Sequence, residues 1–154
     1  MNGEIEGVKI KPLKVHCDDR GYLYEAVRSD DEFFNGFSQS NITMTYPGVI
    51  KAFHWHKKQD DIWVVAKGEI MAVLYDLRKK SKTYGTVQTV FMGDNNRIAL
   101  YIPRGVAHGY KVLGTEPAIL VYYTNQLYNP KDPDEQRIPY NDKKIGFDWE
   151  TKFR

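Results

Sequence analysis

Short apolar runs rich in β-branched and aromatic residues recur along the chain, separated by glycine, proline, asparagine or aspartate. Such runs, bounded by turn-forming residues, are typical of β-strands. No run keeps the spacing of about 3.6 residues that marks an amphipathic helix, and a helical turn is expected only around residues 30–34 and near the C-terminus. Many short strands favour a sandwich or barrel. The predicted strands are VKIKPLKV, GYLYEAV, SNITMTY, VIKAFHWH, DIWVVAK with GEIMAVLYDL, TVQTVFM, RIALYIP, HGYKVL and AILVYYT.

Two stretches bear on how these strands are connected. The stretch from Ile62 to Leu77 is predicted to form two strands joined in a tight hairpin at Lys67-Gly68. From Tyr128 onward the chain carries three prolines and many charges, which indicates an extended segment laid over the barrel rather than a second domain. Residues 1–154 are therefore expected to form a single domain.

Composition narrows the range of partners and compartments. The chain has 154 residues, with 22 Lys and Arg against 20 Asp and Glu, and a net charge of only +2. The basic residues are scattered among acidic ones, so a nucleic-acid partner is not expected. No apolar run approaches the roughly 20 residues of a membrane span, and the charged N-terminus has no apolar signal core. The lone Cys17 cannot form an intramolecular disulfide. We therefore expect a cytoplasmic protein with no membrane partner.

Three of the four histidines fall in two compact motifs. The first, Gly-x5-His-x-His, spans Gly48 to His56, and in a strand His54 and His56 point to the same side. This spacing resembles the first metal-binding motif of the cupin family. Asp61 lies at nearly the position where that motif has its carboxylate. The second motif, Pro-x-Gly-x-x-His, ends at His108. The two motifs in this order predict an all-β cupin jelly-roll barrel with inward-facing histidines. Three imidazoles and a carboxylate would also suit Zn²⁺, Fe²⁺, Mn²⁺ or Ni²⁺.

From about residue 5 to residue 150 the chain resembles the dTDP-4-dehydrorhamnose 3,5-epimerase family of cupins. The resemblance rests on collinear blocks, of which the Asp-Leu-Arg and Ala-His-Gly blocks are the most specific. The blocks are Asp19-Arg20-Gly21-Tyr22, Gln39-Ser40-Asn41, Gly48-Val49-Ile50-Lys51, Asp76-Leu77-Arg78, Ile102-Pro103-Arg104-Gly105-Val106-Ala107-His108-Gly109-Tyr110, Tyr128-Asn129-Pro130 and Asp148-Trp149.

This resemblance implies an isomerase that needs no cofactor and acts on a nucleotide-diphospho-4-keto-6-deoxy sugar, as in dTDP-rhamnose and polysaccharide synthesis. It implies His54 as the base that removes a proton beside the keto group and Tyr122 as the acid that returns one. It also implies a homodimer whose N-terminal strands are exchanged, and VKIKPLKV could act as such a strand. The implied substrate-binding residues are Arg20, Glu25, Gln39, Lys51, His108 and Glu135.

Departures from the family pattern leave other functions open. Asp61 aligns with the lysine that steadies the enolate in the family, and a carboxylate there would repel the enolate. The aspartate that orients the base histidine has no counterpart before Arg154. The alternatives are a single-position epimerase, an isomerase of a related keto-sugar, a non-catalytic sugar-binding cupin, and a metal-dependent cupin. In the last of these the ligands would be His54, His56, Asp61 and His108.

Overall fold

The computed structural model describes residues 3–151, and the elements formed there are strands joined by turns and loops. No helix long and apolar enough to cross a membrane is formed by these residues. The turn expected around residues 30–34 is present but does not become helical. In chain order the strands are β1 (Lys9–Pro12), β2 (His16–Asp18), β3 (Gly21–Leu23), β4 (Gln39–Thr45), β5 (Ile50–His56), β6 (Asp61–Lys67), β7 (Glu69–Asp76), β8 (Val87–Gly93), β9 (Ile98–Ile102), β10 (Val106–Leu113), β11 (Ala118–Thr124) and β12 (Glu135–Arg137).

Two five-stranded antiparallel sheets face each other and form the body of the protein. The first sheet has the order β1-β9-β6-β11-β4, and the second has the order β12-β5-β10-β7-β8. A separate two-stranded ribbon pairs β2 with β3. This arrangement confirms the predicted all-β cupin jelly-roll barrel. The N-terminal strand β1, expected as a strand for exchange between subunits, pairs with β9 of its own chain.

The predicted hairpin at Lys67-Gly68 is wrong. Strands β6 and β7 do follow one another there, but β6 belongs to the first sheet and β7 to the second. Gly68 has a φ of 82°, and a side chain at this position would lie 2.6 Å from the Pro117 carbonyl oxygen. This glycine therefore forms a crowded corner between two sheets rather than the turn of a hairpin. Both strands are buried along most of their length. A hairpin with one face in solvent would instead alternate buried and exposed residues.

Three apolar clusters account for the burial of the sheets. The main core lies between the two sheets and includes Leu74 and Leu120. A second cluster covers the outer face of the second sheet, where Phe53 packs against Trp149 with ring centroids 5.5 Å apart. A third cluster, which includes Phe33, covers the outer face of the first sheet. The C-terminal segment thus lies over the barrel, and β7 is buried because both of its faces are covered.

Close contact between β5 and β10 aligns the two histidine motifs. His54 and His108 are Cα partners across these strands, and the register shifts by a bulge between His108 and Tyr110. A side chain at Gly109 would lie 2.3 Å from the Ala52 Cβ atom, so glycine is required for this approach. The Ala-His-Gly block therefore fixes the distance between the strands that carry the histidines.

Candidate active site

A cavity of about 590 Å³ opens between the two sheets and is lined by side chains from both. Its size falls within the range of small-molecule sites. The second sheet contributes His54, His56, His108, Glu135 and Arg137, and the first contributes Gln39, Asp61, Trp63 and Tyr122. The histidines of both motifs are therefore brought together, as the two motifs predict.

His54 has a carboxylate partner on the neighbouring strand. Its Nδ1 atom lies 3.1 Å from Glu135 Oε1, because β12 pairs with β5 and places Arg137 opposite His54. Arg137 also donates to Glu135 Oε1 through Nε, at 2.9 Å. Burial opposes the ionisation of Glu135, but hydrogen bonds from Arg137 and His54 outweigh it, so the pKa of Glu135 lies below its usual value. An ionised Glu135 accepts a hydrogen bond from Nδ1–H of His54, which leaves Nε2 as the ring nitrogen that can act as a base.

His108 lies deeper, in a position with a defined tautomer. Its Nδ1 atom is 3.0 Å from the Val106 carbonyl oxygen, which can only accept a hydrogen bond. Burial lowers the pKa of His108 to about 4, so the ring is neutral at pH 7 and Nε2 carries a lone pair. That Nε2 atom lies 3.6 Å from Asp61 Oδ2.

Asp61 and His56 complete this deep group. Gln59 Nε2 donates to Asp61 Oδ1 at 2.7 Å and lies 3.3 Å from His56 Nε2. Trp63 Nε1 donates to Asp61 Oδ2 at 3.3 Å. His56 is 7% exposed, and its Nδ1 atom has no hydrogen-bond partner among residues 3–151. Ligand atoms of His56, Asp61 and His108 all lie within 4.8 Å of one another. The structure thus brings together three of the four residues of the metal alternative, whereas His54 is engaged by Glu135.

Tyr122 lines the cavity from the opposite sheet. It lies on β11 beside Trp63 of β6. Burial raises the pKa of Tyr122, and the nearby carboxylates of Asp61 and Glu135 raise it further. The phenol therefore holds its proton at neutral pH and can donate it.

Polar and basic side chains surround the cavity mouth. Lys51 Nζ donates to Thr43 Oγ1 at 3.0 Å. Gln39 accepts a hydrogen bond from the backbone N–H of Tyr128 at 3.0 Å. Both residues line the cavity.

Arg20 and Glu25 lie outside the cavity of their own chain. Arg20 is at the turn of the β2–β3 ribbon, where it pairs with Asp18, and its side chain is 85% exposed. Glu25 pairs with Arg28 at 2.7 Å. One chain alone therefore does not bring these two expected substrate-binding residues to the site.

Arg137 and Trp63 were not among the expected site residues. A period-2 pattern links each to a residue that was expected, Arg137 to Glu135 and Trp63 to Asp61, since alternate residues of a strand face the same side. The sequence predicts a strand around Trp63, so this residue could have been placed at the site from the pattern. Arg137 could not, because the proline-rich segment from Tyr128 onward does not have the pattern of a strand.

The sequence of this chain is similar to a known family over nearly its whole length. The family model described as dTDP-4-dehydrorhamnose 3,5-epimerase matches residues 2–154. The spore coat polysaccharide biosynthesis protein SpsL of Bacillus subtilis (strain 168) is 52% identical over 150 residues, which cover 97% of this chain and 99% of that protein. The dTDP-4-dehydrorhamnose 3,5-epimerase of Escherichia coli (strain K12) is 32% identical over 154 residues, covering 95% of this chain and 82% of the enzyme.

Solved structures give the same result for the fold. A dTDP sugar isomerase from Desulfovibrio desulfuricans G20 has a TM-score of 0.88 at 28% identity, covering 94% of this chain and 92% of its own. A dTDP-6-deoxy-D-glucose-3,5-epimerase from Legionella pneumophila, in complex with dTDP-4-keto-L-rhamnose, has a TM-score of 0.85 at 29% identity. It covers 97% of this chain and 81% of its own.

Proposed function

This chain belongs to the dTDP-4-dehydrorhamnose 3,5-epimerase family, and from that premise we propose that it is an isomerase that epimerises a nucleotide-diphospho-4-keto-6-deoxy sugar. The observation that carries the proposal is that His54 and Tyr122 reach one cavity from opposite sheets. Inversion of a carbon centre needs a base on one face of the sugar ring and an acid on the other.

The chemistry starts from the 4-keto group, which makes the neighbouring C3–H and C5–H bonds acidic. Nε2 of His54 removes one of these protons, and the electrons move onto the keto oxygen as an enolate. Tyr122 then returns a proton to the opposite face of the same carbon. A neutral imidazole suits the first step at physiological pH. The raised pKa of Tyr122 keeps a proton available for the second.

Glu135 takes the part of the base-orienting carboxylate rather than that of a substrate contact. Its 3.1 Å contact with His54 Nδ1 holds the imidazole in one tautomer and stabilises the imidazolium that forms. A carboxylate from β12 thus supplies the chemistry that the resemblance assigns to an aspartate.

The nucleotide diphosphate is bound at the cavity mouth. Lys51 and Arg137 line the cavity, and their cationic groups can bind the diphosphate away from the reacting carbon. Gln39 offers an amide close by. His108 is buried and lies at the deep end of the cavity, where the sugar binds, rather than at the mouth with the diphosphate.

A homodimer supplies the remaining substrate contacts. β4 is an edge strand of the first sheet, and it exposes Ile42 and Met44 to 75% and 50%. Arg20 lies at the tip of an exposed ribbon that can reach a second copy. In this arrangement the cavity of one subunit is completed by the partner subunit's Arg20 and the partner subunit's Glu25.

Solvent exchange tests the proposed reaction. The protein is incubated with dTDP-4-keto-6-deoxyglucose in D₂O and the sugar is followed by proton NMR. We expect loss of the H3 or H5 signal and appearance of an inverted product, and we expect His54→Gln to abolish both. His16→Gln is the matched control, since His16 is exposed on β2 and should change neither. No deuterium incorporation together with no binding would reject this substrate class.

A further inference from the structure

The deep end of the cavity brings two imidazoles and a carboxylate close together. We propose that His56, Asp61 and His108 form a binding site for one divalent transition-metal ion, and that this ion stabilises the enolate of the proposed reaction. The role of the ion in stabilising the enolate rests on the proposed function. The metal site itself rests on the geometry of the three side chains alone.

The contacts of His108 leave one of its ring nitrogens available as a ligand. Nδ1 lies 3.0 Å from the Val106 carbonyl oxygen and is engaged there, whereas Nε2 faces Asp61 Oδ2 at 3.6 Å. That separation is longer than a hydrogen bond, and both atoms are of the kind that bind a divalent transition-metal ion.

His56 provides a second, independent observation. Its side chain is more than nine-tenths buried, and Nδ1 has no hydrogen-bond partner in the described part of the chain. A buried imidazole nitrogen without a hydrogen-bond partner is destabilising, so a ligand bond at this atom would be favourable. The ligand atoms of all three residues lie within 4.8 Å of one another, so one ion can serve the whole group after small side-chain rotations.

The surrounding contacts are those that hold metal ligands in place. A backbone carbonyl fixes the tautomer of His108, while Gln59 and Trp63 donate hydrogen bonds to the Asp61 carboxylate. Outer contacts of this kind orient ligands and increase metal affinity. Two imidazoles with one carboxylate suit Zn²⁺, Fe²⁺, Mn²⁺ or Co²⁺ and leave coordination positions open toward the cavity.

His54 is not one of the proposed metal ligands. The base and the metal site are therefore formed by different residues. Its Nδ1 atom is used by Glu135, and Nε2 is needed as the base. Without an ion, the Asp61 carboxylate places negative charge beside the site of enolate formation. With an ion, the net local charge is reversed, and the metal acts as a Lewis acid on the keto oxygen.

Direct metal binding tests the site without relying on turnover. Chelator-treated protein is titrated with Zn²⁺, Mn²⁺ and Co²⁺ by calorimetry, and the Co²⁺ complex is followed by its visible absorption. We expect one ion per chain for at least one metal. His56→Gln, Asp61→Asn and His108→Gln should each weaken binding by at least about 100-fold, beyond the effect typical of outer contacts. His54→Gln and His16→Gln should bind as tightly as the wild type.

Absence of stoichiometric binding to folded wild-type protein would overturn the inference, and so would loss of binding in His54→Gln alone. The Co²⁺ spectrum of the wild type is a readout that does not depend on whether a variant folds.

Solvent deuterium exchange into the keto-sugar separates the two proposals. Exchange by metal-free protein at the full rate would reject the enolate role of the ion and leave the proposed function standing. Stoichiometric metal binding without any exchange would reject the proposed function and leave the metal site standing.

Discussion

His54 Nδ1 lies 3.1 Å from Glu135 Oε1, although the two residues are far apart in the chain. The contact exists because the short strand β12 pairs with β5 at the edge of the second sheet. It gives the proposed base a fixed tautomer and a negatively charged neighbour. Strand pairing within the barrel therefore places a carboxylate beside His54.

Replacing Glu135 with Gln should slow proton abstraction by about 10²-fold, since the Nδ1 proton would lose its anionic acceptor. We expect kcat to fall while the KM for the nucleotide sugar changes little. The ¹⁵N chemical shifts of the His54 ring should move away from those of a single tautomer. Glu116→Gln, at an exposed turn, is the matched control and should alter neither quantity. Unchanged kcat in Glu135→Gln would contradict the assigned role.

Replacing Tyr122 with Phe should separate deuterium exchange from inversion. His54 can still remove a proton and return deuterium to the same face, so the variant should incorporate solvent deuterium and yield little inverted sugar. NMR of the product in D₂O measures both. Inversion at the wild-type rate would show that another group is the acid.

The pH dependence of inversion should reflect the raised pKa of Tyr122. A raised pKa means that the phenol keeps its proton to a higher pH than the usual value of about 10. The rate of inversion should therefore not fall on the alkaline side until above about pH 10. Single-turnover rates across this range test the expectation. A loss of inversion with a midpoint near neutral pH, with exchange unaffected, would exclude Tyr122 as the acid.

The sequence predicted the scaffold well because strand signals and the two histidine motifs are local. The runs around His54 and His108 did become neighbouring strands, and the two residues are Cα partners. The prediction of a hairpin at Gly68 is wrong. A tight turn with glycine has the same local sequence pattern whether the following strand pairs with the preceding one or crosses to the facing sheet. The partner of His54 could not be predicted, because Glu135 lies in a charged, proline-rich segment whose strand is only three residues long.

The Asp-Leu-Arg block of the family has a structural role in this chain. Asp76 is fully buried and accepts hydrogen bonds from Arg78 Nε at 2.8 Å and Thr83 Oγ1 at 2.7 Å. Burial opposes its ionisation, but donors on Arg78, Ser81 and Thr83 outweigh burial and hold the pKa of Asp76 far below its usual range. The ionised carboxylate thus ties the end of β7 to the following loop.

Asp76→Asn should lower the free energy of unfolding by about 2–4 kcal/mol at pH 7. Because the pKa is depressed in the folded state, this stabilisation is present above about pH 4 and is lost as the pH falls further. The difference between wild type and variant in urea denaturation should therefore shrink below that pH. Asp30→Asn, a surface carboxylate that pairs with Arg28, is the control and should leave the denaturation midpoint unchanged. A difference that persists undiminished in acid would contradict this account.

The proposed dimer should depend on the outer face of β4. Ile42 and Met44 are exposed there, and burying each in an interface would contribute about 1.5–3 kcal/mol. Light scattering should give about twice the chain mass of 17.9 kDa for the wild type, and the Ile42→Asp, Met44→Asp double variant should approach the mass of one chain. Phe91→Asp, an exposed apolar residue on β8 of the other sheet, should remain a dimer. Since Arg20 would reach the partner's cavity only in the dimer, the double variant should also bind dTDP more weakly than the Phe91→Asp control. A wild-type protein that stays monomeric at micromolar concentration would rule out this completion of the site.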